Sequence, residues 1–239
     1  MDGLLAGSQG RITVDLDVTA QIRPGYYGFP EVGPVFVENR YIRKNDSRLW
    51  WPHFTLRNLW SLAHAVDPAR LRMEVLNPDR LGELYPADDP LAPAKWPKDT
   101  LFAAVMFASP LGWFEIQNLT PETVAAWKPL VATWKKYRDE VHAGYIYPVG
   151  CKPDGFAWTG FVSAAKDGRS GTALIFRELN ERAAYTLDLS PYLTAGTAEI
   201  LAGRGTATIK DGRLSVQIPA KHDFIWVKLN HEPLKKGNL

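Results

Sequence analysis

The period of the hydrophobic pattern changes near residue 144, and this change limits the possible folds of the 239-residue chain more than any other feature. Before residue 144, strand-like runs are interleaved with runs of helical period. After it, the two-residue period continues along the chain. Strands that alternate with helices are typical of a parallel sheet with outer helices, and successive short strands are typical of an antiparallel sandwich. The pattern therefore predicts two domains, residues 1–144 and residues 145–239.

The first of these domains is predicted to contain four strands and three helices after an opening loop. Residues 11–19 alternate strictly between apolar and polar side chains, as a half-buried strand does. The predicted strands are 11–19, 34–41, 71–76 and 111–116, and the predicted helices are 54–66, 100–108 and 121–143, with a kink or restart at Pro129. A closed (β/α)₈ barrel needs eight strands. The domain is therefore either a small open sheet or part of a barrel that the chain enters partway.

Turn signals in the second half indicate hairpins. Asp211-Gly212 lies between two alternating runs, and Asp-Gly is among the strongest short hairpin signals. A second hairpin joins residues 156–165 to residues 171–176. Together with the strand-like runs 184–189, 206–210, 213–218 and 224–229, these turns predict an antiparallel β-sandwich over residues 145–239.

Charge and cysteine content exclude several classes of function. The chain has 28 Lys and Arg against 26 Asp and Glu, which is too balanced for a nucleic-acid-binding surface. No apolar run approaches the ~20 residues of a membrane helix, and the first ten residues lack the pattern of a signal peptide. The single cysteine, Cys151, and the five histidines lack the spacing of common metal motifs. We therefore expect no nucleic acid, membrane or metal ion, and a cytoplasmic location by default.

Two aspartates of the first predicted strand are candidate catalytic groups. Asp15 and Asp17 lie on one face of that strand, with their backbones about 6–7 Å apart at ~3.3 Å per residue. Functional groups of parallel α/β folds gather at the carboxyl ends of strands. A carboxyl group beside aromatic side chains can have a raised pKa and donate a proton to a leaving group. The alternative is a solvated face of an edge strand.

The ends of the predicted strands and the loops after them supply candidate substrate-binding groups. These are Arg23, Tyr26, Glu38, Asn39, Arg40, Trp51 and Asn77. A sugar needs hydrogen-bonding groups beside aromatic ones, because it presents hydroxyls at its edge and C–H groups on its face. We expect Asp17, Arg23, Glu38, Asn39 and Asn77 to converge on one rim. Two alternatives stay open: Arg40 pairs internally with Glu38, and Trp51 covers the core.

Five segments of the sequence carry a family resemblance. They are PVFVENRY at 34–41, TLRNLW at 55–60, RMEVLN at 72–77, DDPLAP at 88–93 and WTGF at 158–161. These segments resemble bacterial melibiase-like proteins, which are α-galactosidase-related glycoside hydrolases of families 36 and 27. In that family a catalytic (β/α)₈ barrel precedes an antiparallel sandwich. The resemblance therefore implies the carboxyl-terminal half of a TIM-type barrel followed by a β-sandwich.

The resemblance also implies catalytic residues. The family is retaining, with an aspartate nucleophile in a Lys-x-Asp motif after the fourth barrel strand and an aspartate acid/base after the sixth. Counting back from the final barrel helix places residues 11–19 at about strand six. Asp17 then corresponds to the acid/base, with Asp15 as the alternate, and Glu38-Asn39 corresponds to the next strand end. No residue of the chain corresponds to the nucleophile.

The resemblance finally implies a function and its partners. The chain is expected to be a fragment of an α-galactosidase-like hydrolase that binds terminal α-linked sugars and is inactive alone. The resemblance implies no cofactor. The missing amino-terminal half of the barrel and a second copy of the chain are its candidate protein partners. The alternative function is a non-catalytic carbohydrate-binding or accessory module.

Overall fold

The computed structural model describes residues 2–9, 11–12, 14, 16–17, 33–37, 49–75, 77–112 and 116–231. Its first elements alternate between helices and strands. They are α1 Asp2–Gly7, β1 Leu16–Asp17, β2 Val35–Val37, α2 Pro52–Leu62, β3 Leu71–Val75, α3 Lys98–Ala103, β4 Ser109–Gly112 and α4 Pro121–Ala143. Within the described residues, no helix is both long enough and apolar enough to cross a membrane.

The four strands of this first part form one parallel sheet in the order β1-β2-β3-β4. Leu16 lies in register with Val35, which lies in register with Leu71, and β4 runs parallel to β3. Parallel neighbours need crossover connections, and α2 and α3 lie in the connections on either side of β3. The predicted parallel pairing of the first two strands is confirmed.

Helix α4 confirms its predicted start and corrects its predicted middle. The Thr120 side chain accepts a hydrogen bond from the Thr123 N–H, and Pro121 occupies the first helical turn. The helix continues without interruption through Pro129, so it does not restart at that residue. Pro129 and Ala125, whose carbonyl loses its partner there, both lie on the exposed face, where water can bond the freed oxygen.

Other predicted boundaries were wrong where tertiary packing overrides local pattern. Residues 2–7 form α1 rather than a loop. The Arg11 N–H bonds the Ser8 carbonyl, so residue 11 belongs to a turn and not to the first strand. Helix α3 ends at Ala103 instead of residue 108, because residues 103–108 form a wholly buried apolar run, which periodicity cannot resolve. Strand β4 begins two residues before its predicted start, at Ser109.

The chain after α4 forms two antiparallel sheets. The five-stranded sheet has the order β5-β6-β7-β12-β9, and the three-stranded sheet has the order β10-β11-β8. The bounds are β5 Tyr145–Gly150, β6 Trp158–Ala164, β7 Ser170–Arg177, β8 Ala184–Asp188, β9 Thr197–Gly203, β10 Thr206–Lys210, β11 Arg213–Gln217 and β12 Asp223–Asn230. Both predicted hairpins are confirmed; Asp211 (φ 50°) and Gly212 (φ 72°) adopt the positive φ angles of a type I′ turn.

The five-stranded sheet is buried on both faces. Alternate residues of β7 and β12, such as Ile175 and Val227, pack against the three-stranded sheet. The residues between them, such as Leu174 and Trp226, belong to the apolar cluster that also contains residues of α2, α4 and β3. The molecule is therefore mixed α/β with mostly antiparallel strands. The division into domains at residue 144 stays a prediction.

Candidate functional site

The candidate site is the edge of the parallel sheet at which its four strands end. The described residues that close these strands are Asp17, Val37, Val75 and Gly112. Parallel strands share a direction, so their carboxyl ends lie along one edge. Asp17 lies in register with Phe36, Phe36 with Arg72, and Arg72 with Ser109. Strand ends that are neighbours in the sheet can present groups to a common ligand.

The face of β3 that points away from the helices is charged. Leu71, Met73 and Val75 belong to the apolar cluster under the helices. Side chains alternate along a strand, so Arg72 and Glu74 lie on the opposite face. Arg72 is half-buried and Glu74 is 1% exposed. This face of the sheet is therefore polar, because it carries a guanidinium group and a buried carboxyl group two residues apart on β3.

Asn77 supplies a buried hydrogen-bond donor directly after β3. Its Oδ1 accepts a hydrogen bond from the Asp79 N–H at 2.9 Å, which fixes the amide in a tight turn. Its Nδ2 is buried and makes no hydrogen bond within the described part of the chain. A buried polar group without a partner is costly in a folded protein unless a ligand or water supplies one. Asn77 is therefore the best-defined candidate for a binding group at this edge.

Asp79 holds the loop after β3 against the start of α4. Its carboxylate forms an ion pair with Lys98 at 2.8 Å and accepts hydrogen bonds from the Thr120 N–H and from the hydroxyls of Thr120 and Thr123. Burial alone would raise the pKa of Asp79. The hydrogen bonds from Lys98, Thr123 and Thr120 outweigh burial and lower the pKa to about 2. This network positions Asn77, two residues earlier.

Trp51 is part of the packing beside this edge. It is 8% exposed, its Nε1 donates to the Asp89 carboxylate at 2.7 Å, and its ring meets the edge of Tyr85. Asp89 also accepts a hydrogen bond from the Leu91 N–H at 2.8 Å, so this carboxylate links Trp51 to the loop after β3. The structure favours the alternative in which Trp51 covers the core, and its contact with substrate stays a prediction.

Several predicted site residues lie outside the described residues. They are Asp15, Arg23, Tyr26, Glu38, Asn39 and Arg40, and only the backbone of Asp17 is described. The predicted convergence of Asp17, Arg23, Glu38, Asn39 and Asn77 on one rim therefore remains a prediction. Among the described residues, no group of three or more His, Cys, Asp and Glu side chains could hold a metal ion.

Sequence reasoning missed a buried group of titratable side chains beneath the loop that joins β3 to α3. Burial, the repulsion of Arg57 and that of His222 lower the pKa of His53 to about 4, although Asp89 and Asp154 oppose this. Burial raises the pKa of Glu178 to about 7, against hydrogen bonds from the N–H groups of residues 154, 155 and 157. Only long-range packing buries these residues, so local sequence carried no signal for them.

Comparison with known proteins identifies the fold. No protein-family profile and no curated protein sequence matches the chain. Solved structures do match. A variant of the GH36 α-galactosidase AgaA of Geobacillus stearothermophilus, in complex with 1-deoxygalactonojirimycin, has a TM-score of 0.52 and 16% identity over 75% of this chain and 24% of that chain. An Anoxybacillus α-amylase has a TM-score of 0.60 and 14% identity over 97% of this chain and 55% of that chain.

A third structure, the galactosidase domain of the α-galactosidase–sucrose kinase AgaSK, has a TM-score of 0.53 and 12% identity over 96% of this chain and 36% of that chain. The chain thus has a fold found in glycoside hydrolases. The GH36 α-galactosidases share this fold, which confirms at the level of the fold the resemblance carried by the five sequence segments. The chain spans less than two thirds of the length of each of these three proteins.

Proposed function

We propose that the chain is the carboxyl-terminal part of an α-galactosidase-like glycoside hydrolase. In this proposal it supplies the last four strands of a (β/α)₈ barrel and the sandwich that follows. The observation that carries the proposal is the shared fold, which extends over 96% of the chain in the galactosidase domain of AgaSK. That likeness takes in both the parallel sheet and the antiparallel sheets. The other barrel strands would come from preceding residues of a longer chain or from a partner.

The strand order supports a revised position for the acid/base. If β4 is the last barrel strand, because α4 and then the sandwich follow it, β3 is the seventh and β2 the sixth. Strand β1 is then the fifth rather than about the sixth. The family places its acid/base after the sixth strand, and Glu38 directly follows the last residue of β2 in the sequence. The count therefore favours Glu38 over Asp17, which remains the second candidate.

The chemistry of the proposed site is that of a retaining glycosidase. A carboxylic acid protonates the leaving oxygen while a second carboxylate attacks the sugar and forms a covalent glycosyl intermediate. Glu38 or Asp17 would supply the acid, and Asn77 would donate a hydrogen bond from Nδ2 to a sugar hydroxyl. The side chains of Arg72 and Glu74 would line the interior of the completed barrel. The attacking carboxylate would lie on a strand outside this chain.

A matched pair of neutral, isosteric variants tests this assignment. The iminosugar 1-deoxygalactonojirimycin carries a protonated amine near neutral pH, so its affinity depends on nearby carboxylates. We expect Glu38→Gln to weaken its binding to the chain about tenfold or more, which corresponds to ~1.5 kcal/mol for a charged hydrogen bond. We expect Asp17→Asn to change it by less than about twofold. The reverse ranking would restore Asp17 as the acid/base.

Activity of the chain by itself provides a second test. Because retaining catalysis needs the attacking carboxylate, we expect no hydrolysis of aryl α-galactosides above the rate in buffer. Turnover by the chain alone that Asp17→Asn or Glu38→Gln abolishes would contradict the proposal, since both catalytic groups would then lie within these residues. Failure of the chain to bind the iminosugar would contradict the proposed sugar site itself.

The alternative function, a carbohydrate-binding or accessory module, would need aromatic side chains that a sugar can reach, and the sequence has nine tryptophans. The structure gives most of them another role. Six of the eight tryptophans in the described part of the chain are buried, and the other two, Trp60 and Trp134, are half-buried with their Nε1 groups bonded to backbone carbonyls. Their abundance reflects the core, so it no longer favours a binding module.

A further inference from the structure

A groove lies at the other end of the parallel sheet from the candidate site. Its volume is about 580 Å³, and it is bordered by the end of α2, the end of α4 and the edge strand β5. The groove includes residues 63–68, which lead directly into the amino end of β3. The candidate site lies at the carboxyl ends of the same strands. The groove is therefore separate from the candidate site, because it lies at the amino ends of the parallel strands.

Two exposed tyrosines line this groove. Tyr145 is 56% exposed and Tyr147 is 37% exposed. They lie two residues apart on β5, so they share one face of the strand, while Ile146 between them is buried in the apolar cluster. The ring of Tyr147 also packs against Tyr192, with the ring centroids 5.2 Å apart. The strand thus places two exposed tyrosines at the border of the groove, and the contact with Tyr192 restrains the ring of Tyr147.

Four residues with hydrogen-bonding side chains also border the groove. His64, Asp67, His142 and Lys166 all line the groove. His64 packs edge-on against Trp60, with the ring centroids 4.5 Å apart, and the Trp60 Nε1 bonds the Val149 carbonyl. This chain of contacts restrains the imidazole. The groove therefore combines donors and acceptors with restrained aromatic surface.

His142 is held in place at the end of α4. Its Nε2 lies 3.0 Å from the Ala108 carbonyl. Burial lowers the pKa of His142 below its ordinary value, although the bond to Ala108 and the charges of Asp67 and Asp139 oppose this, and Arg138 adds to the lowering. The ring is therefore neutral at neutral pH. Because Nε2 donates to Ala108, Nδ1 is an acceptor.

We propose that this groove is a second saccharide-binding site, distinct from the site at the carboxyl ends of the parallel strands. Aromatic faces stack on the C–H faces of sugar rings, and the surrounding polar groups match the hydroxyls at the sugar edge. The volume is within the range of small-ligand sites, about 300–1,000 Å³. The inference rests on the groove alone and holds whether or not the chain belongs to a hydrolase.

Binding of two probe sugars, melibiose and maltotriose, to the full chain tests the proposal. Protein-observed NMR titration gives a Kd for each labelled region of the chain. We expect at least one sugar to bind the groove with a Kd on the order of 1 mM, as suits a small ligand on an open surface. The backbone amides of residues 64–67 and 145–147 should shift together during the titration.

Variants of the two rings separate this site from any other. We expect Tyr145→Ala/Tyr147→Ala to weaken binding at the groove by about fourfold or more, since each ring contributes a factor of about 2 to 12. The ring-retaining Tyr145→Phe/Tyr147→Phe should keep most of the affinity. Phe156→Ala, which removes a 54% exposed aromatic side chain outside the groove, should have no effect. Thermal melts of all variants check that the fold is retained.

The outcomes distinguish the groove from the proposed hydrolase site. Unchanged affinity in Tyr145→Ala/Tyr147→Ala, or no binding of either sugar by the wild-type chain, would overturn the proposal. Binding that is lost in Asn77→Ala but kept in the double alanine variant would also overturn it, because the sugar would then occupy only the carboxyl edge of the sheet. Binding lost in the double variant and kept in Asn77→Ala supports the groove.

Discussion

Replacing Glu178 with glutamine tests whether a single buried carboxyl group makes the protein less stable as the pH rises. Glu178 is fully buried, and its Oε2 accepts the backbone N–H groups of Asp154, Gly155 and Ala157 at 3.2, 2.9 and 2.8 Å. Burial raises the pKa of Glu178 from 4.5 to about 7, assisted by the charge of Asp154 and opposed by the three N–H groups. Glutamine keeps an acceptor oxygen and cannot ionise.

The expected size follows from the shift in pKa. The folded state holds the proton more tightly than the unfolded state, so this contribution to stability is fully present below about pH 4.5 and is lost as the pH rises through about 7. A shift of about 2.5 pKa units at ~1.36 kcal/mol per unit corresponds to about 3 kcal/mol. The free energy of unfolding of the wild-type protein should therefore fall by about that amount relative to Glu178→Gln.

Urea unfolding of both proteins at several pH values between 4.5 and 8 measures this difference. Glu181→Gln is the matched control, because Glu181 is exposed, pairs with Lys221 at 2.5 Å and has a lowered pKa. The free energy of unfolding of Glu181→Gln should vary with pH between 4.5 and 8 in the same way as that of the wild-type protein. If the three N–H groups outweigh burial instead, the pKa of Glu178 lies below 4.5. The wild-type protein would then not lose stability relative to Glu178→Gln, and the reasoning would be refuted.

Two further substitutions probe the loop beside the site and the sandwich. Asp79→Asn should lower the free energy of unfolding by about 2 kcal/mol in urea unfolding, because the pKa of Asp79 is lowered from 3.8 to about 2. The ionised Asp79 carboxylate stabilises the fold above pH 3.8, and this contribution is lost as the pH falls through about 2. Gly212→Ala should lower the free energy of unfolding by about 1 kcal/mol, because residue 212 has a φ of 72°. Gly82→Ala is the control and should lower it little, because no atom lies within 4 Å of the added methyl group. Equal melting temperatures of the two variants would contradict this prediction.

The fold could be predicted from sequence where local chemistry decides the structure. Thr120 and Pro121 marked the start of α4, and Asp211-Gly212 marked a hairpin, because capping and positive φ angles depend on the residues themselves. The helix end at Ala103 could not be predicted, since a continuous buried apolar run has no polar face. Strand β9, Thr197–Gly203, was missed because it lies at a sheet edge and its residues are exposed or half-buried, with no strict alternation.

The residues of the candidate site stay predictions, but the structure shows which groups hold the loop around Asn77, and the sequence did not indicate them. Asn77 was expected at a strand end, and the structure places it there with a buried amide. Asp79 was not singled out, because its role depends on Lys98 and on Thr120, which lie 19 and 41 residues away in the sequence. Two aromatic side chains, Tyr26 and Trp51, were expected to bind substrate; Tyr26 lies outside the described residues, and Trp51 packs mainly inside the protein. Sequence shows which side chains exist, but packing decides which of them remain accessible.

The most direct test of the proposed sugar site is to map the binding of methyl α-D-galactoside onto the chain by NMR. The account predicts that the amides shifted by this ligand include those that follow the carboxyl ends of β2 and β3, around residues 38–40 and 77–80, and that Asn77→Ala weakens their response. Asp79 and its neighbours should shift without loss of the fold. A titration in which these amides do not move while the fold is intact would contradict the claim that this edge of the sheet binds an α-galactoside.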